Sequence, residues 1–115
     1  MLNRLKYLMQ PNSVSRPHDQ TVIELLREDP SFADEYLTAA LDEADEPGGR
    51  EALLSALRHI VEAQGMAVIA ERAGIKSESL YRALSPKGNP TIKTLLAVIG
   101  AAGLKLSVHR QAEVH

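Results

Sequence analysis

The stretch that most constrains the fold of this chain is residues 66–84, MAVIAERAGIKSESLYRAL. It places a small residue, Ala70, four positions before Gly74, with apolar residues at Ile69, Ala73 and Ile75. Two helices cross closely where the contact residue carries little side chain, and a chain reverses sharply at glycine because glycine adopts positive φ at low cost. Ser77 is an expected N-cap for the second helix. The pattern predicts a helix-turn-helix, whose second helix typically lies in the major groove of DNA.

The charge of the chain is divided between two regions. The formal net charge is only −2, but residues 18–51 contain eleven acidic residues against Arg27 and Arg50. Residues 72–110 contain seven basic residues against Glu78 alone. DNA affinity depends on the local field that faces the phosphates, so the basic region remains compatible with DNA binding. The acidic region is interpreted either as a solvated helix surface or as a face for a basic protein partner.

Composition limits the remaining possibilities. A chain of 115 residues has room for one modest core, and an apolar content of 44% with only 3% aromatics suits short, closely packed helices. The chain has no cysteine, which excludes disulfides and thiolate metal sites. No apolar run approaches the roughly 18 residues of a membrane span, and no secretory signal is recognised at the N-terminus. We therefore expect a cytoplasmic protein that is not bound to a membrane.

The pattern of helical stripes and turns divides the chain into three regions. Residues 1–20 are expected to form an N-terminal arm, because prolines and serines follow a short apolar stripe. Residues 21–48 are expected to form an acidic helical segment. Residues 49–110 are expected to form a helix-turn-helix DNA-binding domain, built on an amphipathic scaffold helix over residues 50–64.

The last part of this domain is expected to contain a strand. Residues 104–108, LKLSV, follow Gly103 and alternate apolar and polar side chains, which is typical of a half-buried strand. A lone strand needs a partner, and the candidates are the N-terminal arm or the same strand of a second subunit. The expected fold is therefore all-α, a small helical bundle with a short C-terminal β-strand.

The candidate DNA-binding residues lie on the second helix of the motif and on the loop after it. Arg82 can bond guanine or clamp a phosphate, and Ser79 can bond a base edge or a phosphate. Glu78 either accepts from cytosine or, as we prefer, only favours the helix N-terminus. Tyr81 either contacts a thymine methyl group or, as we prefer, packs in a seam with the following loop. The full set is Lys76, Ser77, Glu78, Ser79, Tyr81, Arg82, Lys87 and Asn89.

Catalysis, metal binding and cofactor binding receive no support from the sequence. The four histidines have no metal-ligand spacing, and His59 is interpreted as a residue at the boundary of an amphipathic helix. No serine lies in a nucleophile motif, and no glycine-rich loop follows a strand. We therefore expect a protein that is not an enzyme.

Several strings of residues carry a family resemblance. They are RHIVEAQGM at 58–66, LYRALSPKGNP at 80–90 and GLKLSV at 103–108, with YLTAALDE at 36–43 upstream. Through them residues 31–108 resemble the addiction-module antidote proteins of the Xre/HigA-type helix-turn-helix family. The second string is the most specific, because few other helix-turn-helix groups place that loop after the recognition helix.

The resemblance implies a lambda-repressor-like helix-turn-helix and a function with two parts. An antitoxin of a type II toxin–antitoxin system neutralises a basic RelE/ParE-like toxin and, as a homodimer, represses the shared operon on double-stranded operator DNA. Residues 76–82 and 87–89 would contact DNA, and charge alone makes residues 34–46 a candidate face for the toxin. The alternative is a protein-interaction module, or an orphan phage-type regulator, with weak DNA binding and no toxin partner.

Overall fold

The computed structural model describes residues 16–111, with side chains from Asp19 onward. All regular structure in this part of the chain is helical. The helices are α1 (Arg16–Glu28), α2 (Phe32–Asp42), α3 (Gly49–Gln64), α4 (Met66–Ala73), α5 (Ser77–Ala83) and α6 (Ile92–Ala101).

A single apolar core runs through the described helices. The central helix α3 packs against α1 and α2 and also contacts α4, which in turn packs against α5 and α6. The largest fully buried side chains come from five of these helices, as Val22, Ile60, Ile69, Leu80 and Val98 illustrate. The acidic helical segment and the helices that follow it therefore contribute to the same core.

A sharp bend at Gly65 directs the chain from α3 into α4. Gly65 has φ +112°, in a region that favours glycine, and the two helix axes meet at 103°. Among the described helices, none is by itself long and apolar enough to cross a membrane; α3 and α4 reach that length and composition only when they are joined across this bend.

The first helix begins earlier than the sequence suggests. The sequence predicts a start at Asp19 or Thr21, but α1 begins at Arg16 and ends, as predicted, at Glu28. Pro17 lies in the first helical turn, where its missing N–H removes no intrahelical hydrogen bond, so it does not break the helix. The rest of the predicted arm, residues 1–15, lies outside the described residues.

The sequence offers Ser31 and Ser77 as N-caps; the position of the first is confirmed, and the second is wrong. Ser31 occupies the N-cap position of α2, but its hydroxyl donates to Asp29 Oδ1 at 2.6 Å and makes no cap bond. Lys76, with extended backbone, is the N-cap of α5, and Ser77 is the first helical residue. Neither result is visible in the sequence, because serine at a helix start can bond either to the backbone or to a nearby side chain.

The predicted C-terminal β-strand is not formed within the described chain. Gly103, with φ +84°, ends α6 as expected, and Leu104 N–H donates to Ile99 O at 3.0 Å. Beyond that bond, residues 105–111 have no regular structure. A strand requires a hydrogen-bonded neighbour, and none of the described segments supplies one.

Candidate nucleic-acid interface

The turn between α4 and α5 has the geometry that the sequence predicts. Gly74 is left-handed, with φ +74°, and Ile75 N–H donates to Ala70 O at 3.0 Å while Gly74 N–H donates to Glu71 O at 3.1 Å. This pair of bonds is the Schellman motif, which satisfies the last carbonyls of α4. Ala70 is buried, as expected of a close helix contact. The turn therefore fixes α5 firmly on α4.

Helix α5 buries one side and presents the other to solvent. Leu80 is completely buried, whereas Glu78, Tyr81 and Arg82 lie around the exposed face. Tyr81 is 58% exposed, so its ring is not packed in a seam with the following loop, and the preferred interpretation of that residue is wrong. Of the full candidate set, Lys76, Ser77, Glu78, Tyr81, Arg82, Lys87 and Asn89 are exposed and Ser79 is half-buried.

The cations of this surface are not neutralised by contacting carboxylates. Between residues 19 and 111, one nitrogen–carboxylate contact lies within 4.0 Å, between the His59 ring and Asp19, far from α5. Lys76, Arg82 and Lys87 have no such partner in this part of the chain. Their charges are therefore available to an anionic ligand, and no internal ion pair has to be broken first.

The loop after α5 is held in place by an arginine that sequence reasoning missed. Arg50, at the start of α3, donates from Nη2 to Gly88 O at 2.5 Å and to Asn89 Oδ1 at 3.1 Å. Because the Asn89 oxygen accepts this bond, its amide N–H₂ group remains as a donor. No local pattern in the sequence indicates this contact, since Arg50 and Asn89 are 39 residues apart.

The C-terminal ends of α5 and α6 are capped by side chains from α3 and α4. Arg58 Nη1 donates to Leu84 O at 2.6 Å, just after α5. Arg72 Nη1 donates to Ala101 O at 3.3 Å and Gln64 Nε2 donates to Ala102 O at 2.9 Å, at the end of α6. A cation near the end of a helix also opposes the negative end of the helix dipole. Arg58 therefore holds the end of α5, which carries most of the candidate interface, and Arg72 holds the end of α6.

A buried polar cluster lies where α1, α2 and α3 meet. His59 is only 3% exposed, so its interpretation as a boundary residue is wrong. Its Nδ1 lies 2.7 Å from Tyr36 Oη, and its Nε2 lies 3.0 Å from Asp19 Oδ1. Burial, reinforced by the Asp19 charge, raises the pKa of Tyr36 well above its usual range. Tyr36 and His59 are both buried in the core, whereas the Asp19 side chain is 33% exposed.

A second surface of interest is acidic. On and after α2, six carboxylates are exposed, and none has a cation within 4.0 Å among the described residues. Next to them, a groove of about 550 Å³ separates α2 from residues 103–109, with Leu37 and Leu41 on one wall and Leu106 on the other. The carboxylates are Asp34, Glu35, Asp42, Glu43, Asp45 and Glu46.

Comparison with known proteins places this geometry in a family. Residues 19–110 match the model of a family described as "Probable addiction module antidote protein". A protein of Haemophilus influenzae described as uncharacterized is 40% identical over 78 residues, which are 68% of this chain and 80% of that protein. No solved structure matches the chain significantly. The family match covers all six helices apart from the first turn of α1.

Proposed function

The chain belongs to the family of probable addiction module antidote proteins, and from that membership we propose that it is the antitoxin of a type II toxin–antitoxin system. It neutralises a basic RelE/ParE-like toxin and represses its own operon as a homodimer on operator DNA. Assignment to the Xre/HigA-type helix-turn-helix group and a cytoplasmic location are parts of the same proposal.

The observation that carries DNA binding is the set of exposed, unneutralised cations on and beside a rigidly held helix. Helix α5 enters the major groove, where Arg82 bonds guanine or clamps a phosphate and Ser79 bonds a base edge or a phosphate. Lys76, at the start of the helix, contacts a phosphate. Lys87 and the Asn89 amide contact the DNA backbone from the loop that Arg50 holds.

Toxin neutralisation is assigned to the acidic surface of α2 and the turn that follows it. Its carboxylates have no ion-pair partner among the described residues, so a basic protein can approach them without breaking an ion pair within this part of the antitoxin. Complementary charge accelerates encounter and favours the correct partner over neutral or acidic proteins. The two activities therefore use different elements, α2 for the toxin and α5 for the DNA.

DNA binding is tested by fluorescence anisotropy on the promoter DNA upstream of the gene, with unrelated DNA as competitor. The wild-type protein should bind this DNA specifically, and the double variant Lys76→Ala/Arg82→Ala should lose roughly tenfold or more in affinity. If both side chains bind phosphates, the slope of log K against log salt should shrink by about one unit for each phosphate that is no longer neutralised. Arg27→Ala, which removes an exposed cation of α1, is the matched control and should bind normally.

The outcomes of this experiment are distinct. Unchanged affinity of the double variant would contradict the assignment of Lys76 and Arg82 while leaving DNA binding intact. Failure of the wild-type protein to prefer its promoter would contradict operator binding, and would favour a protein-interaction module. Circular dichroism of each variant checks that the helices are retained.

Toxin binding is tested separately by co-expressing the chain with the product of the neighbouring gene. The two proteins should co-purify, and Glu43→Lys/Glu46→Lys should weaken the complex and reduce its sensitivity to salt. Glu24→Lys/Glu28→Lys reverses two exposed charges on α1 and serves as the control. An equal effect of both double variants would mean that net charge, and not the α2 surface, governs the interaction.

A further inference from the structure

The segment after α6 has one apolar face. The side chains on this face become more exposed to solvent toward the C-terminus. In an extended chain the side chains of Leu104, Leu106 and Val108 point to the same side. Leu104 is half-buried against the core, Leu106 is 41% exposed and Val108 is 98% exposed. The described part of this molecule thus buries the start of the apolar face and leaves its end in solvent.

Within residues 16–111, the backbone of the same segment is not paired. No backbone hydrogen bond joins residues 105–111 to another described residue. An extended segment of this kind presents a row of N–H and C=O groups, which readily pair with another strand. A segment with an apolar face and unpaired backbone groups can form one strand of a two-stranded ribbon.

We propose that residues 104–108 pair with the same residues of a second copy, as an antiparallel ribbon at the centre of the homodimer interface. The inference rests on the homodimer of the proposed function and specifies the surface that forms it. A C2 dimer requires a patch that is complementary to itself, and an antiparallel pair of identical strands meets this requirement.

The register follows from side-chain pairing. A two-fold axis at Leu106 places Leu106 opposite its own copy and Leu104 opposite Val108 of the second copy, so all six apolar side chains meet in three pairs. It also places Lys105 opposite Ser107. An axis at Lys105 would set two like charges directly opposite each other, which is unfavourable.

The groove beside α2 gives the ribbon a surface to pack on. A two-stranded ribbon is marginal alone and needs an apolar support, which Leu37 and Leu41 of α2 provide. The rim of the groove carries acidic Asp34 and Asp42 on one side and basic Lys105 on the other. A surface that presents both signs of charge can meet its own copy without net repulsion.

Disulfide cross-linking tests the register directly, because the chain contains no cysteine of its own. Leu106→Cys should form a covalent dimer under mild oxidation, since side chains that face each other across antiparallel strands lie within disulfide reach. Lys105→Cys and Ser107→Cys are matched controls, because each is displaced from its own copy in this register. They should cross-link roughly tenfold more slowly; faster cross-linking of either control would overturn the register.

Sedimentation velocity tests the interface without any covalent bond. Val108→Asp should weaken dimerisation by roughly tenfold or more, because it places a charge in the shared apolar face. Val108 is almost fully exposed in one subunit, so the substitution should leave the circular dichroism unchanged. Ser107→Asp, on the opposite face of the same strand, should remain dimeric.

The competing surface on this molecule is the exposed side of α6, where Ile92 and Leu96 are in contact with solvent. A wild-type dimer that resists Val108→Asp but dissociates with Leu96→Asp would move the interface to α6 and overturn the ribbon, while the homodimer stands. A wild-type monomer at micromolar concentration would overturn both. Neither result depends on DNA or toxin, so those parts of the proposed function are tested independently.

Discussion

His59 connects three helices through side chains that are distant in sequence. It lies on α3, bonds Tyr36 on α2 and pairs with Asp19 on α1, at separations of 23 and 40 residues. Inside a core, a polar group without partners costs about 1–3 kcal/mol, whereas a satisfied one specifies a unique arrangement. The cluster therefore fixes how the acidic helical segment sits on α3.

Replacing Tyr36 with Phe should lower the free energy of unfolding by about 1–2 kcal/mol at neutral pH, because His59 Nδ1 loses its buried partner. The wild-type protein should also lose stability above pH 10. There the unfolded chain releases the tyrosine proton while the folded chain, whose Tyr36 pKa is raised, retains it. Urea unfolding at a series of pH values measures both effects.

The Tyr36→Phe variant should lose the part of the alkaline decline that Tyr36 contributes, at most about 1.4 kcal/mol per pH unit. Tyr81→Phe is the control, because Tyr81 is largely exposed and its loss should change neither stability nor its pH dependence. An unchanged alkaline decline in Tyr36→Phe would show that another group causes it.

Arg50 and Asn89 should act on DNA affinity as one unit. If Arg50 holds the loop so that the Asn89 amide faces DNA, Arg50→Ala and Asn89→Ala should each weaken promoter binding several-fold, and the double variant should be little worse than either single variant. Anisotropy titrations of the wild type, the two single variants and the double variant give the four affinities of this double-mutant cycle. Fully additive losses would mean that Arg50 contacts DNA independently of Asn89.

At the level of helices and turns, two glycines, Gly88 and Gly100, have opposite requirements. A Cβ at Gly88 would overlap the carbonyl oxygen of Ala83, because the loop lies directly on the end of α5. A Cβ at Gly100, inside α6, would meet nothing within 4 Å. The first glycine is required by a close approach, and the second only adds flexibility to a helix.

Gly88→Ala should therefore destabilise the protein by roughly 1–3 kcal/mol, whereas Gly100→Ala should stabilise it by about 0.5–1 kcal/mol. Thermal unfolding of both variants shows whether each substitution lowers or raises the stability of the protein. Gly88→Ala should also weaken promoter binding, because the loop that carries Lys87 and Asn89 must move. Equal effects of the two substitutions would contradict the close packing of the loop.

The elements that could be predicted are those whose signal is local. The buried face of α3 follows from the spacing of Leu54, Leu57 and Val61, and the α4–α5 turn follows from Ala70 and Gly74. Both depend on helical periodicity and on the conformational freedom of glycine, which operate over a few residues.

What could not be predicted depends on contacts between distant residues. The burial of His59 and the role of Arg50 arise from partners more than twenty residues away. The exposure of Ile92 and Leu96, which the apolar stripe of α6 places in the core, depends on which elements pack beside that helix. The exposed set on α5 is predictable because burial of Leu80 determines the opposite face, but its contacts with DNA remain a prediction.

At the level of the whole molecule, the common core predicts that the helices unfold together. Val22 and Tyr36, from α1 and α2, belong to the same cluster as Ile69 and Leu80, from α4 and α5. Native-state hydrogen exchange should therefore give one global unfolding free energy for protected amides in both sets of helices. Earlier opening of α1 and α2 would instead support an independent acidic segment at residues 21–48.

The close approach at Gly88 also means that the string LYRALSPKGNP, where a relative shares it, indicates a shared fold and not by itself a shared function. Three of its residues, Leu80, Leu84 and Gly88, face inward or touch backbone, so selection for folding alone is enough to preserve them. A descendant could retain the string after it had lost its operator. On the proposed function, divergence of DNA specificity should therefore be sought at the exposed positions 78 and 82 and at the half-buried position 79, where evolution can change the bound sequence without disturbing the scaffold.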